Sequence, residues 1–219
     1  MEAMIVWAIA IVAARVFYSL RTVHPFINNN LMLFTSGIFI YLPAAVLIAR
    51  KEPIDFFEKS WRELWYSLKV TVIFSLIIMP PILIGSHYLH SWFFHLKYYP
   101  QPLASVFNGN LLSAFAFHLF LVAFPEEFFF RGYIQRRFHQ VFDDRFTFLS
   151  VKMGKAFFLT AILFALSHSI IVVRWWHIFI FFPTLGFGWL REKTGALTSP
   201  ILFHALSNTF SAWVSMHYR

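Results

Sequence analysis

The chain lacks cysteine altogether and carries few charged residues. With no cysteine among its 219 residues, it forms neither a disulfide framework nor a thiol nucleophile. Only 13% of the residues are charged, whereas 59% are hydrophobic and 21% are aromatic. An ordinary soluble domain has about 25% charged residues, and one of this length cannot bury so much apolar surface in a single core. The composition therefore predicts an all-α protein of the lipid bilayer.

Apolar stretches long enough to approach a ~30 Å hydrocarbon core recur along the chain. They predict a polytopic transmembrane helical bundle of about seven spans (six to eight), in one integral membrane domain covering residues 1–219. The predicted spans are approximately Ala3–Leu20, Leu31–Ala49, Val70–His87, Leu111–Phe130, Ala156–Val173, Trp175–Leu190 and Ala196–Met216. Pro80–Pro81 predict a kink in the third span. Pro183, Gly186 and Gly188 predict that the sixth is bent or partly irregular.

The connections between the spans differ in charge. Arg50–Lys69 mixes charges with tryptophans and predicts an amphipathic helix at the interface. Ser91–Asn110 is aromatic, with Lys97 as its only charge, and is expected at the opposite headgroup layer.

Lysine and arginine counts predict the orientation. With a cytoplasmic N-terminus, the inside connections hold thirteen Lys and Arg residues and the outside segments four, a clear positive-inside bias. The small size and short loops favour a prokaryotic cytoplasmic membrane. The net charge of +8 is interpreted as basic loops facing anionic lipid headgroups, so the bilayer is an expected partner and nucleic acid is not.

Two carboxylates interrupt the fourth span. Glu126 and Glu127 follow a stretch, Gln101–Pro125, that contains no charge, and an ionisable residue in a span costs about 2.5–3.5 kcal/mol on insertion scales. Glu127 and Arg131 are four residues apart and share a helix face. Glu126 is turned about 100° away. The spacing predicts that Glu127 forms a structural ion pair and leaves Glu126 free for chemistry, unless the acidic and basic residues only mark a helix end at the interface.

Two later spans each present polar groups. His168 lies in the fifth span with Phe164 one turn before it, where the ring would wall one side of a pocket. His204 and Asn208 are four residues apart in the seventh span, so both side chains face the same direction. A lone histidine in an apolar helix is more often a hydrogen-bonded packing residue than a catalyst. Catalytic-type groups on three separate spans predict one polar site between them.

In this order, the three motifs resemble the CPBP family. This family comprises CAAX-processing proteases and bacteriocin-processing or immunity proteins, also called Abi-type or glutamic intramembrane proteases. Its pattern is Glu-Glu-x-x-x-Arg, Phe-x-x-x-His and His-x-x-x-Asn on successive core helices. The chain supplies Glu126-Glu127-Phe-Phe-Phe-Arg131, Phe164-Ala-Leu-Ser-His168 and His204-Ala-Leu-Ser-Asn208 within a core of about residues 111–213.

The resemblance implies an intramembrane endopeptidase that requires no cofactor. Glu126, assisted by His168, would deprotonate a water that attacks the scissile carbonyl. His204 and Asn208 would stabilise the developing oxyanion, and Glu127 would support the site. The expected substrate is a membrane-associated protein or peptide: a CAAX-type tail, a bacteriocin leader or a C-terminal sorting tag.

Three alternatives remain open. Two histidines and a glutamate could bind zinc with water in the fourth position, although the chain has no HExxH motif. The family also contains non-catalytic immunity and scaffold proteins. A transporter would place Glu and His in membrane helices as well, but the chain shows no inverted repeat.

Overall fold

The computed structural model describes residues 1–99, 109–143 and 145–219 as a bundle of helices. We number its helices α1 (Glu2–Leu20), α2 (Pro25–Asn29), α3 (Leu31–Ala49), α4 (Trp61–Tyr88), α5, α6 (Lys155–Ile171), α7 (Phe181–Thr194) and α8 (Thr198–Ser215). The long helix α5 consists of the consecutive segments Gly109–Phe117, His118–Ala123, Phe124–Glu127, Phe128–Ile134 and Gln135–His139. Short segments at Leu89–Phe93 and Trp175–Ile180 are π-helical and 3-10, respectively. Two strands, β1 (Arg145–Phe148) and β2 (Val151–Gly154), form a hairpin.

The prediction of an all-α membrane bundle is confirmed. Four of the described helices are long and apolar enough to cross a membrane: Glu2–Leu20, Leu31–Ala49, Trp61–Phe93 and Leu111–His139. The apolar helix Lys155–Ile171 is shorter. Helix α7 overlaps the second part of the sixth predicted span and α8 overlaps the seventh, but neither is among the four helices that are long and apolar enough to cross a membrane.

The predicted interfacial helix over Arg50–Lys69 is wrong. Residues 51–60 are not helical, and the second half of the segment is the first part of α4. Ser60 begins the helix as its N-cap, because its hydroxyl accepts a hydrogen bond from the Glu63 amide at 3.3 Å. The Glu63 carboxylate accepts in turn from the Lys59 amide at 2.9 Å. This Ser-x-x-Glu pattern is a known helix start. Helix α4 then continues through the two prolines at which a kink was predicted.

The glycines of the sixth span serve packing instead of bending. The irregular part of this span is the 3-10 segment Trp175–Ile180, and α7 is regular across Gly186 and Gly188. A Cβ at Gly188 would lie 2.6 Å from the Phe157 ring. Glycine is needed here because α6 and α7 approach too closely for any side chain.

The hairpin between α5 and α6 had no signal in the sequence. Its strands pair antiparallel from Arg145 with Gly154 to Phe148 with Val151. Leu149 and Ser150 form the two-residue turn, and both have positive φ angles of 48° and 63°. Such turns usually contain asparagine or glycine, which are absent here. The predicted position of Ser91–Asn110 lies partly outside the described residues.

A proline shapes the middle of α5. Pro125 has no amide hydrogen, so the carbonyl of Leu121 loses its helical partner. The Ser36 hydroxyl of α3 lies 2.6 Å from the Leu121 oxygen and shares its single proton between this carbonyl and that of Met32 in its own helix, also at 2.6 Å. The segment Phe124–Glu127 is flanked by π-helical turns on both sides, and such turns often occur at functional sites.

Charged contacts join several chain segments at the end of the bundle where α1 begins. We call this the N-terminal end. Arg137 contacts Glu52 at 2.8 Å and Glu2 at 3.4 Å, and Arg50 also pairs with Glu2. Arg136 contacts Asp55 at 2.7 Å. At the opposite end, α1 and α6 finish and α3 begins.

Candidate active site

A buried ion pair lies at the centre of the bundle. Arg131 Nη1 is 3.2 Å from Glu127 Oε1, and both side chains are almost fully buried. The other Arg131 nitrogen donates to the Thr184 carbonyl at 2.9 Å and also contacts the Thr184 hydroxyl. The guanidinium lies over the ring of Phe164, 4.5 Å from its centroid, and 5.3 Å from that of Phe187. Such close pairing offsets the desolvation of two buried charges.

His204 connects this ion pair to the second carboxylate. Its Nδ1 lies 2.9 Å from Glu127 Oε1, and its Nε2 lies 3.8 Å from Glu126 Oε2. The ring stacks on Phe187, with centroids 4.4 Å apart and an interplanar angle of 14°. Because the Glu127 carboxylate only accepts, the nitrogen facing it carries a proton. The ring is thereby held with Nε2 towards Glu126.

His168 faces Glu126 from the other side. Its Nδ1 donates to the Phe164 carbonyl at 3.0 Å, and its ring stacks on the Phe164 ring at 4.8 Å. A carbonyl oxygen only accepts, so the proton of the neutral ring is on Nδ1 and the lone pair is on Nε2. That Nε2 lies 3.9 Å from Glu126 Oε1. His168 therefore presents a basic nitrogen towards the carboxylate.

Glu126 lies between the two histidines without contacting either at hydrogen-bond distance. Its side chain is buried, and Oε2 has no hydrogen-bond partner among the described residues. Separations of 3.8 and 3.9 Å are too long for direct bonds and leave the polar groups close enough to share one bridging water. The arrangement suits the activation of a water molecule by a carboxylate and an imidazole.

Asn208 is the predicted site residue that stands apart from this contact network. It lies one turn after His204 on α8 and is half-buried, and its side chain makes no hydrogen bond to a described residue. Its amide donors are therefore available to a ligand. The other six predicted residues lie together, five of them joined by the contacts described above and Glu126 within 3.9 Å of both histidines: Glu126, Glu127, Arg131, Phe164, His168 and His204.

Ser167, next to His168 in the sequence, bonds other groups instead of the histidine. Ser167 donates to the Leu163 carbonyl at 2.6 Å and accepts from the Trp7 indole at 2.9 Å. This contact attaches α1 to α6 beside the site. His177 is a packing residue, since its Nδ1 lies 3.1 Å from the carbonyl of His168.

Sequence reasoning missed three supporting residues. Thr184 and Phe187 hold Arg131 and His204, and Ser36 satisfies the carbonyl released by Pro125. Thr184 had a weak signal, as a hydroxyl in an apolar span. The position of Phe187 between two glycines was a signal of close packing.

An apolar cleft of about 270 Å³ leads to the site. Glu126 and His168 lie in it, and Phe130 lines it beside them. Its remaining lining residues come from α1, the first half of α3, α5 and the end of α6: Tyr18, Leu31, Met32, Thr35, Phe39, Val122, Ser167, Ile171 and Val172. Most of these residues lie where α1 and α6 end and where α3 begins, which is the end of the bundle opposite the N-terminal end. The cleft therefore extends from Glu126 towards that opposite end.

The described part of the chain contains no group of three or more His, Cys, Asp or Glu side chains arranged to hold a metal ion. A zinc site at Glu126 and the two histidines would need the gaps of 3.8 and 3.9 Å to close around the ion.

Comparison with known proteins identifies the region that contains the site. The sequence model of one protein family, described as "Type II CAAX prenyl endopeptidase Rce1-like", matches residues 108–210. No curated protein and no solved structure matches the chain. The matched region includes all seven predicted site residues, whereas α1, α3 and α4 lie before it.

Proposed function

We propose that this chain, whose residues 108–210 match the Rce1-like family model, is a CAAX-type membrane protease of the glutamic class with Glu126 as its general base. The observation that supports this proposal most is the position of the buried Glu126 carboxylate, 3.8–3.9 Å from the Nε2 atoms of His168 and His204. A water bound in this gap can transfer a proton to Glu126 while its oxygen attacks the scissile carbonyl. His168, with a free Nε2, accepts a second hydrogen bond from that water and orients it.

His204 and Asn208 stabilise the oxyanion in this proposal. His204 donates from Nε2 only when its ring carries both protons, because Nδ1 already donates to Glu127. The Glu127 carboxylate is then the counter-charge of the imidazolium. The amide of Asn208, one turn away, supplies the second donor. Collapse of the tetrahedral intermediate breaks the C–N bond, and Glu126 returns its proton to the leaving amine.

The substrate proposed here is a membrane-associated protein or peptide cleaved near its C-terminus or leader. A prenylated CAAX-type tail and a C-terminal sorting tag with a hydrophobic anchor both suit the apolar cleft beside Glu126, and a bacteriocin leader is the third candidate. We further propose a prokaryotic cytoplasmic membrane as the location, with the N-terminus in the cytoplasm, on the basis of the lysine and arginine distribution.

Product analysis tests the proposal. The purified protein is incubated with a farnesylated CAAX peptide and with synthetic leader and sorting-tag peptides, and the products are identified by mass spectrometry. We expect cleavage by the wild type and none by Glu126→Gln, with phenanthroline leaving the rate unchanged because the proposed reaction uses no metal. Loss of activity with phenanthroline and its return with zinc would replace this mechanism with a metal-dependent one.

A further inference from the structure

The end of the bundle towards which the cleft extends is cationic. Arg15 and Arg21 of this end lie close to the cleft residue Tyr18. No Asp or Glu occurs in the sequence between Glu2 and Glu52 or between Asp144 and Glu192, so the segments that form the outer part of the cleft supply no carboxylate. Arginine side chains without acidic partners at the mouth of an apolar cleft are available to bind an anionic ligand.

Arg15 lies at the rim of the cleft. Its Nη1 donates to the carbonyl of Ile171 at 2.9 Å, and its guanidinium lies 5.8 Å from the ring centroid of Tyr18. Ile171 and Tyr18, the two residues that Arg15 contacts, both line the cleft. Arg15 makes no ion pair with any carboxylate in the described ranges. A guanidinium has five N–H donors, so most of those of Arg15 are free for a ligand.

Arg21 adds a second positive charge at the same place. Its guanidinium lies over the Tyr18 ring, 3.4 Å from the ring centroid. Its Nη1 also donates a hydrogen bond to the Tyr18 carbonyl at 2.7 Å. Two guanidinium groups thus lie around one aromatic side chain of the cleft. Neither belongs to the region matched by the family.

We propose that Arg15, supported by Arg21, binds an anionic group of the substrate, a carboxylate, at the outer part of the cleft while the scissile bond lies at Glu126. This inference rests on the proposed function for the identity of the site. Ile171 is three residues after His168, a rise of about 4.5 Å along α6. Two hydrogen-bond lengths of ~3 Å are added to this rise, one from the Ile171 carbonyl to Arg15 and one from Arg15 to the ligand. The carboxylate then lies about 10 Å from the activated water, a distance that about three extended residues span at ~3.3–3.6 Å each. The proposed carboxylate is therefore that of the substrate's C-terminus.

Two farnesylated CAAX peptides, identical except for a C-terminal carboxylate or carboxamide, test this assignment in a non-ionic detergent. We expect the wild type to prefer the carboxylate peptide by about tenfold or more in KM, as one charge-assisted hydrogen bond predicts. Arg15→Gln loses the preference by raising KM for the carboxylate peptide alone, and Arg15→Lys recovers part of it. Arg219→Gln, a matched change at an exposed C-terminal arginine outside the cleft, keeps the preference.

Binding of the same peptides to the Glu126→Gln variant separates the two proposals. If Glu126→Gln binds the carboxylate peptide more tightly than the carboxamide peptide and Glu126→Gln/Arg15→Gln binds both equally, the assignment of Arg15 stands. This holds even where the wild type cleaves neither peptide. If the wild type cleaves both peptides equally, the assignment fails and the proposed function stands.

Two other outcomes also overturn the assignment. Arg15 bonds a carbonyl in the last turn of α6, where a cation stabilises a helix. A lower melting temperature of Arg15→Gln with an unchanged carboxylate preference would reduce its role to that contact. In phosphatidylcholine vesicles with or without phosphatidylglycerol, an Arg15-dependent rate that follows the anionic lipid and ignores the peptide carboxylate would assign the site to a lipid phosphate.

Discussion

Glu126 and Glu127 are adjacent in the sequence and in helix α5, but their carboxylates have different hydrogen-bond partners. Glu127 bonds Arg131 and His204, whereas Glu126 bonds neither histidine beside it. The spacing of Glu127 and Arg131 was readable from the sequence because it depends on one helix. The contact between Glu127 and His204 was not, because it depends on how α5 packs against α8.

We expect Glu127→Gln to lower both stability and turnover. The change leaves the buried Arg131 without its counter-charge, which costs about 3–5 kcal/mol when a buried pair is broken, and it removes the charge that orients His204. Thermal unfolding in detergent and kcat measure the two effects. Glu126→Gln is the matched control and should unfold near the wild-type temperature, since Glu126 forms no direct hydrogen bond to a described side chain. An unchanged melting temperature of Glu127→Gln would contradict this reading.

Asn208→Ala tests the oxyanion role. We expect kcat to fall about 10²–10³-fold, the usual effect of removing one oxyanion donor, while KM changes little. The adjacent Ser207→Ala serves as a control, because its position on the helix is turned about 100° from Asn208. Equal rates for the wild type and Asn208→Ala would exclude Asn208 from the reaction.

At the scale of elements, the sequence predicted which segments are helical. It was less informative about where the helices begin and how they contact one another. The Ser60 and Glu63 cap was present in the sequence, yet the charges around it suggested a separate interfacial helix. Pro125 predicted a disturbed helix, but the Ser36 hydroxyl that satisfies the freed carbonyl comes from α3, 85 residues away in sequence. Such contacts follow from tertiary packing and have no local signature.

The approach of α6 to α7 depends on Gly188. We expect Gly188→Ala to be less stable than Gly85→Ala by about 1–3 kcal/mol, because the new methyl group forces the buried Phe157 ring to move. Gly85 is the matched control, since a Cβ there meets nothing within 4 Å and both substitutions gain the same helix propensity. Chemical unfolding in detergent measures the difference, and equal stabilities would show that α6 tolerates the shift.

At the scale of the whole molecule, the two ends of the bundle have different chemistry. Acidic and basic side chains pair at the N-terminal end, through Glu2, Arg50 and Arg137, among others. The cleft extends towards the opposite end, beside Arg15 and Arg21. Composition predicted the membrane bundle, and the three motifs predicted which helices carry polar groups. The direction of the cleft required the relative positions of α1, α3 and α6, which no single segment specifies.

The absence of cysteine makes the orientation directly measurable. With a cytoplasmic N-terminus, the cleft extends to the outer side, so Leu31→Cys at its outer part should react with a membrane-impermeant maleimide in intact bacterial spheroplasts. Lys59→Cys, exposed near the N-terminal end, should react only after lysis. The reverse pattern would place the cleft towards the cytoplasm and invert the proposed topology.

The central claim is that Glu126 activates the water that cleaves the peptide bond. Its most direct test is mass spectrometry of the peptide products formed by the wild type and by Glu126→Gln, with both proteins shown to be folded and membrane-inserted. The account predicts defined cleavage products from the wild type and none from the variant. Normal turnover by folded Glu126→Gln would contradict it.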